Sequence, residues 1–172
     1  YMDRATSNLK SLYLQGTYFG ENSIIKALMF TGDERTYQAW YGVPFNYLET
    51  NRTFNPYTYD NEVDNYRQTH YQLHYSKALS DATNINVAAH YTHGEGYYEQ
   101  FKDGEDLSDY GLENIILSSD TITSTDLIRR KWLNNDFGGL TFSLIHKMGD
   151  IDLVLGGSSN SYSGQHYGNV IW

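Results

Sequence analysis

Tyr66-Arg67-Gln68-Thr69-His70-Tyr71-Gln72-Leu73-His74-Tyr75-Ser76-Lys77-Ala78-Leu79 alternates with a period of two. His70, Gln72, His74 and Ser76 fall on one side, and Tyr71, Leu73, Tyr75 and Leu79 on the other. Alternation over that length is the mark of a β-strand with unlike faces. Ser80-Asp81-Ala82-Thr83 is a turn signal, and Asn84 to Thr92 resumes the alternation, with Ile85, Val87, Ala89 and Tyr91 against Asn86, Ala88 and His90. Pairing Leu79 with Ile85 sets Tyr75 opposite Ala89, Leu73 opposite Tyr91 and His74 opposite His90. Both apolar rows then share a face, as cross-strand pairing demands.

Two more hairpins flank this one. Leu140, Phe142 and Leu144 alternate with Thr141 and Ser143 before Met148-Gly149, and Ile151, Leu153 and Leu155 follow. A two-residue loop with Gly second suits a primed turn; it sets Lys147 against Asp150, Leu144 against Leu153 and Phe142 against Leu155. Upstream, Leu9 to Tyr18 and Ser23 to Phe30 flank Gly20-Glu21-Asn22. There Leu12, Leu14 and Tyr18 are expected to share a face with Ile24, Leu28 and Phe30. The expectation is about six antiparallel strands and an all-β fold.

Composition narrows the function classes. The 172 residues include no cysteine, two prolines, fifteen glycines and seventeen tyrosines, and carry a net charge of −9. Without cysteine there is no disulfide scaffold, thiolate zinc site or thiol nucleophile. The acidic balance argues against a nucleic-acid partner, because phosphate neutralisation needs clustered Lys and Arg, and Arg129-Arg130-Lys131 is too short a cluster to supply it. No run approaches the ~20 apolar residues of a membrane-spanning helix. Tyr1-Met2-Asp3-Arg4 holds no apolar signal segment. Because the chain starts and stops without a natural terminus signal, it reads as an excerpt of a longer protein. Enzymatic motifs are missing: no Gly-x-Ser-x-Gly elbow, no phosphate-binding Gly loop and no His-Glu-x-x-His. Catalytic residues, a resident metal and a cofactor are therefore not expected.

Short turns alternate with two long polar connections, about Gly32–Asn65 and Gly94–Asp136. Compact domains seldom hold two such loops. Outer-membrane β-barrels do: short periplasmic turns, long extracellular loops, strands apolar outward and polar inward, and aromatic girdles at both interfaces. Tyr18, Phe19, Phe30, Tyr66, Tyr71, Tyr91, Tyr97 and Tyr98 fall near the expected strand ends.

Thr36-Tyr37-Gln38-Ala39-Trp40-Tyr41-Gly42-Val43-Pro44, Thr50-Asn51-Arg52-Thr53-Phe54-Asn55-Pro56-Tyr57 and Asp64 to His74 carry a resemblance. So do Ala89-His90-Tyr91-Thr92-His93-Gly94-Glu95-Gly96-Tyr97-Tyr98-Glu99-Gln100-Phe101-Lys102 and Ser108-Asp109-Tyr110-Gly111-Leu112. Over about Asn8 to Asp150 the chain resembles the TonB-dependent outer-membrane receptors of the Bacteroidetes group. The resemblance implies a barrel of about 22 strands, closed by a plug domain. It implies import of a scarce nutrient across the outer membrane of a Gram-negative cell, using energy passed on by TonB. A siderophore, haem, cobalamin or an oligosaccharide are the implied ligands. Neither a plug domain nor a TonB-contacting box lies in these residues, and six strands make only part of a barrel wall. Plug and TonB would be partners through the rest of the parent chain, and outer-membrane lipid would cover the apolar face.

Candidate ligand contacts come from two places. The first connection is rich in aromatics (Trp40, Tyr41, Phe45, Tyr47, Tyr57 and Tyr59) with Arg35 and Arg52 nearby. Aromatic faces stack on rings and Arg forks hold carboxylates, so Trp40, Tyr41 and Arg52 are the leading contacts for a small nutrient. The stretch Thr36 to Tyr47 has room for a short helix, interrupted by Gly42 and Pro44. His70, His74, His90 and His93 cluster on one hairpin, and the expected register makes His74 and His90 neighbours on the polar face. His93 has the opposite parity, so at most three histidines converge, and His74 and His90 join the candidate ligand contacts as lumen-facing groups.

The second connection holds Glu95, Glu99, Asp103, Glu105, Asp106 and Asp109, read as a solvated acidic surface because they lack the alternation of a calcium loop. A helix is expected within Ile115 to Asp136, with Thr125 or Asp126 as N-cap and Leu127, Ile128 and Trp132 on one side. Two rival classes remain. One is a soluble, aromatic-rich β-sandwich that binds carbohydrate, and the other a passive porin or adhesin barrel.

Overall fold

The computed structural model describes residues 1–172 and is all-β, built on one antiparallel sheet. In chain order the strands are β1 (Ser7–Phe19), β2 (Ser23–Tyr37), β3 (Val63–Ser80), β4 (Thr83–Asp106), β5 (Ile115–Leu117), β6 (Asp120–Ile122), β7 (Ser124–Met148) and β8 (Ile151–Val170). The main sheet runs β1-β2-β3-β4-β7-β8, every neighbour antiparallel, while β5 and β6 form a separate small hairpin. Single 3₁₀ turns lie at Phe45–Tyr47 and Leu107–Tyr110. β1 and β8 are free edges; the sheet does not close on itself.

The three tight turns lie at one end of the sheet and the two long connections at the other. β4 and β7, at 24 and 25 residues, are the longest strands and reach furthest toward the long connections. The expected loop over Gly94–Asp136 is therefore mostly ladder, since β4 continues to Asp106 and β7 starts at Ser124. The helix expected within Ile115–Asp136 is not formed. Leu127 is buried in β7, and the ladder Tyr97↔Trp132 through Lys102↔Leu127 claims those residues first. Likewise Thr36 and Tyr37 end β2, and only Phe45–Tyr47 of the first connection is helical.

The expected faces of the two later hairpins hold, but their registers slide by two residues. Leu73 pairs with Ala89, Tyr71 with Tyr91, His74 with Ala88 and Gln72 with His90. The reason is local. Ser80 pairs with Thr83 around Asp81-Ala82, and a bulge at Leu79 adds the extra residue. His74 and His90 are thus diagonal, not opposed. In the last hairpin Met148 pairs with Ile151 and Leu144 with Leu155. The loop is Gly149-Asp150 rather than Met148-Gly149, and Gly149, its first residue and not its second, takes the positive φ of +62° that a II′ turn requires there.

In the first hairpin the faces themselves differ from expectation. Gly20 N–H donates to Ser23 O at 2.7 Å, so the loop is Glu21-Asn22 rather than three residues. Dropping one loop residue inverts the pairing parity: Leu14 opposes Met29, Tyr18 opposes Ile25, and Gln15 opposes Leu28.

Following the register across the strands separates two faces. One carries Leu14, Met29, Tyr71 and Tyr91 on a single row. The next rows hold Ala27, Leu73, Ala89 and Leu140, then Tyr18, Ile25, Tyr75, Val87 and Phe142. This band is solvent-exposed: Leu73 is 50% and Phe142 45% accessible. Toward the long connections it stops at the first charged pairs, His93 with Asp136 at 2.9 Å and Arg67 with Asp33 at 3.1 Å. The opposite face carries Gln68, His70, Gln72, His74, Asn86, His90, Thr141 and Asn160. Parity also sorts the aromatics expected at strand ends. Tyr18, Tyr71, Tyr91 and Tyr97 lie on the apolar side, whereas Phe19, Phe30, Tyr66 and Tyr98 lie on the polar side.

Only ten of 172 residues are buried, and no second layer covers either face of the sheet. The buried groups gather where the first connection folds back on the strand ends: Tyr37, Gln38, Asn55, Glu62, Val63 and Glu99.

Candidate functional site

The first connection is held by hydrogen bonds at both ends. Arg4 donates to the carbonyls of Tyr57 (Nε, 2.8 Å) and Asn55 (Nη2, 2.7 Å). Asn55 Nδ2 donates to Asp3 O at 3.0 Å and Gln38 O at 3.2 Å, and Tyr37 Oη donates to Tyr59 O at 2.7 Å. On β4, Glu99 is the anchor. Its Oε1 accepts from Tyr59 Oη (2.7 Å) and Asn61 Nδ2 (2.6 Å), and its Oε2 accepts from Arg130 Nε (2.7 Å). Glu62 Oε2 accepts Phe101 N–H at 3.2 Å.

Burial alone would raise the Glu99 carboxyl, but these three donors and the Arg130 charge outweigh it and hold Glu99 below the usual carboxylate range. Burial and the hydrogen bond to Glu99 push Tyr59 up to about 12. Glu62 keeps a raised value, chiefly through burial. Glu99, expected on a solvated acidic surface, is instead 1% exposed. Parity plus a cationic neighbour across the ladder at Arg130 was the signal for it, and that neighbour is invisible until β7 is recognised as a strand.

This anchoring shapes a cleft on the polar face. One row crosses four strands as Ser7, Thr36, Asp64 and Tyr98, with Lys131 beyond. Trp40 meets Tyr98 edge-on, with centroids 5.5 Å apart and planes at 76°. The resulting cleft of about 580 Å³ is lined by Trp40, Gln38, Thr36, Glu34 and Asp64, among others. Thr36 Oγ1 donates to Glu34 Oε1 at 2.9 Å and lies 3.2 Å from Ser7 Oγ. Burial, with a push from Glu34, holds Asp64 above its ordinary range. Gln38 Nε2 donates to Val63 O and Glu99 O at 3.2 and 3.3 Å, leaving its buried Oε1 without a partner.

The other candidates are spread out. Tyr41 lies 5.6 Å from Tyr57, ring to ring, and is exposed. Arg52 Nε donates to Leu48 O at 2.8 Å, closing the turn it follows. Arg35, the other cation near the aromatics, donates to Asn61 Oδ1 at 2.6 Å. His74 Nε2 lies 3.1 Å from Gln72 Oε1, and His90 Nε2 lies 3.1 Å from Asn160 Oδ1, its ring 4.9 Å from Phe137. His70 stacks on Phe30 at 4.1 Å and bonds Thr92. His93 sits on the opposite face against Asp136, as its parity requires. Each histidine thus has its own neighbour, and no group of three or more acidic or imidazole ligands converges.

Sequence reading missed Glu34, Asp64, Gln38 and Tyr98, whose juxtaposition depends on the register of β2, β3 and β4. No known family model matches the chain, and no curated protein matches it either.

Proposed function

We propose that the chain is a segment of the wall of an outer-membrane β-barrel receptor of the TonB-dependent kind. Its parent would import a nutrient recognised at the end of the sheet bearing the long connections. The observation that carries this reading is the exposed apolar band on one face of an otherwise polar antiparallel meander. A soluble protein rarely leaves so large a contiguous apolar surface uncovered; in a bilayer it is the surface that meets the acyl chains. The stretch of β7 from Met148 to Gly138, at ~3.4 Å per residue and a tilt of about 45°, rises roughly 24 Å. The apolar belt of such barrels is about 25 Å tall.

Tyr71 and Tyr91, stacked with centroids 6.4 Å apart, close the band where the first charged pairs begin. That is the place for an interfacial aromatic girdle. The free edges β1 and β8 then pair with further strands of the parent, since uncapped edges of that length invite pairing. A carbohydrate-binding sandwich would require a second sheet over the band, and the only other sheet is the three-residue hairpin β5–β6.

The test is an immunoblot of fractionated source cells with an antibody raised against these residues. The reading predicts an outer-membrane band several times 19.8 kDa whose mobility shifts on boiling. A soluble band near that mass would contradict it.

A further inference from the structure

The cleft beneath Trp40 has the chemistry of a selective pocket, and its groups agree on what they would hold. Its charged side chains are two carboxylates, Glu34 and Asp64, the second of which makes no hydrogen bond or ion pair in the structure, and Thr6 and Ser7 add hydroxyls. Gln38 belongs to the wall, 1% exposed, with its amide oxygen buried and without a donor. The Thr36 hydroxyl and the two nearest guanidinium groups are already engaged. Thr36 gives its hydroxyl to Glu34, Arg4 is bound to the carbonyls of Asn55 and Tyr57, and Arg35 is bound to Asn61. Lys131, the next cation on the row, lies beyond Tyr98 in a separate hollow with Arg129. Trp40 overhangs the acceptors, 55% exposed, held at its edge by Tyr98. An anion entering here would meet two carboxylates and no Lys or Arg side chain in the lining. A ligand rich in hydroxyls, with an apolar ring face for the indole, answers both the carboxylates and the ring.

We propose that this cleft is a carbohydrate subsite: a ring of a neutral oligosaccharide stacks on Trp40 while its hydroxyls donate to Asp64 and Glu34. The inference rests on the receptor reading for its location, facing the outside of the cell, and narrows the nutrient from several classes to one. Ligands that dock through carboxylates or ionised catecholates do not suit it. The volume of about 580 Å³ lies within the usual range for small-molecule sites.

The whole receptor, purified in detergent from its source, is applied to an array of immobilised oligosaccharides. The array carries neutral malto-, cello-, xylo- and manno-hexaose, and oligogalacturonate as the acidic class. A ferric tricatecholate and putrescine are titrated separately. The expected result is retention on at least one neutral chain, weakened tenfold or more by Trp40→Ala and less by Trp40→Phe. Asp64→Asn and Glu34→Gln are expected to weaken it too, while Ile116→Ser, on the exposed β5–β6 hairpin, leaves it unchanged.

Retention of no neutral chain overturns the proposal. So does preference for oligogalacturonate or the ferric complex, or tighter anion binding in Asp64→Asn. Competition by putrescine at lower concentration than sugar would reassign the cleft to amines. The two readings fail separately: a heat-shifting barrel that holds no neutral sugar removes only the subsite, whereas a soluble sugar-binding protein removes the receptor.

Discussion

A carboxylate kept from water stays ionised only if its charge is answered, and Glu99 is answered by a phenol, an amide and a guanidinium. Two of those donors, Tyr59 and Asn61, belong to the first connection, so one side chain on β4 fixes the loop that presents Trp40. Glu99→Gln keeps the shape but weakens the charge-assisted bonds and leaves Arg130 uncompensated. About 2 kcal/mol of local stability should go with it. Tryptic cleavage after Arg52, in the exposed part of that loop, is expected to accelerate roughly tenfold or more; an unchanged rate would show that Glu99 does not hold the loop.

The pH dependence has two arms, both at groups well beyond the apolar band. Glu99 titrates below its ordinary value in the fold, so its contribution is complete above the usual carboxylate pKa of ~4.3 and is lost as pH falls through the depressed value. Tyr59 is raised to about 12, so its contribution is complete below the ordinary tyrosine pKa of ~10 and fades as pH climbs through about 12. Absorbance at 295 nm should show a late tyrosinate step near pH 12 that moves down in Glu99→Gln. If that step stays in place, the bond between the two residues is not what raises Tyr59.

At the scale of strands, the lesson lies in how turns close. Around the turns, residues 70–79 of β3, 85–91 of β4, 140–144 of β7 and 151–155 of β8 mostly alternate in hydropathy, so which of these side chains share a face was legible in the sequence. Which residues oppose each other was not, because a bulge at Leu79 and the placement of Gly149 each slide the ladder by two without disturbing parity. The first hairpin carries apolar residues on both faces (Leu14 and Ile25 on one, Leu28 and Phe30 on the other), so hydropathy could not fix its parity, and the backbone bond from Gly20 to Ser23 does. The stretch around Leu127, Ile128 and Trp132 spaces its apolar residues like a helix, yet the long ladder to β4 wins, as tertiary pairing often does over local preference.

The disagreement is testable by cross-linking, since the chain has no native cysteine. Leu14→Cys with Met29→Cys are directly opposed and should oxidise to a disulfide, whereas Leu14→Cys with Leu28→Cys should not. The reverse pattern would restore a three-residue loop.

For the molecule as a whole, what decides the interpretation is the lack of a conventional core. Buried residues number ten, they cluster at the loop end, and the turn-proximal parts of the long strands show apolar side chains to the outside. The candidate cleft was only partly legible in the sequence: Trp40 stands out by residue type, whereas Glu34, Asp64 and Tyr98 reach it through register alone. On the proposed reading, lipid lies against the apolar band and water or a plug against the polar wall. That two-sided solvation is the central claim, and β3 reports on it most directly because its parity is unambiguous. Single cysteines placed from His70 to Ser76 in the full receptor, spin-labelled in bilayers, would be measured for collision with oxygen and with a water-soluble nickel chelate. The account predicts alternation: labels at 71, 73 and 75 meet oxygen from the lipid, and labels at 70, 72, 74 and 76 meet the chelate or neither. Equal accessibility at both parities, or shielding of 71, 73 and 75 from oxygen, would contradict it.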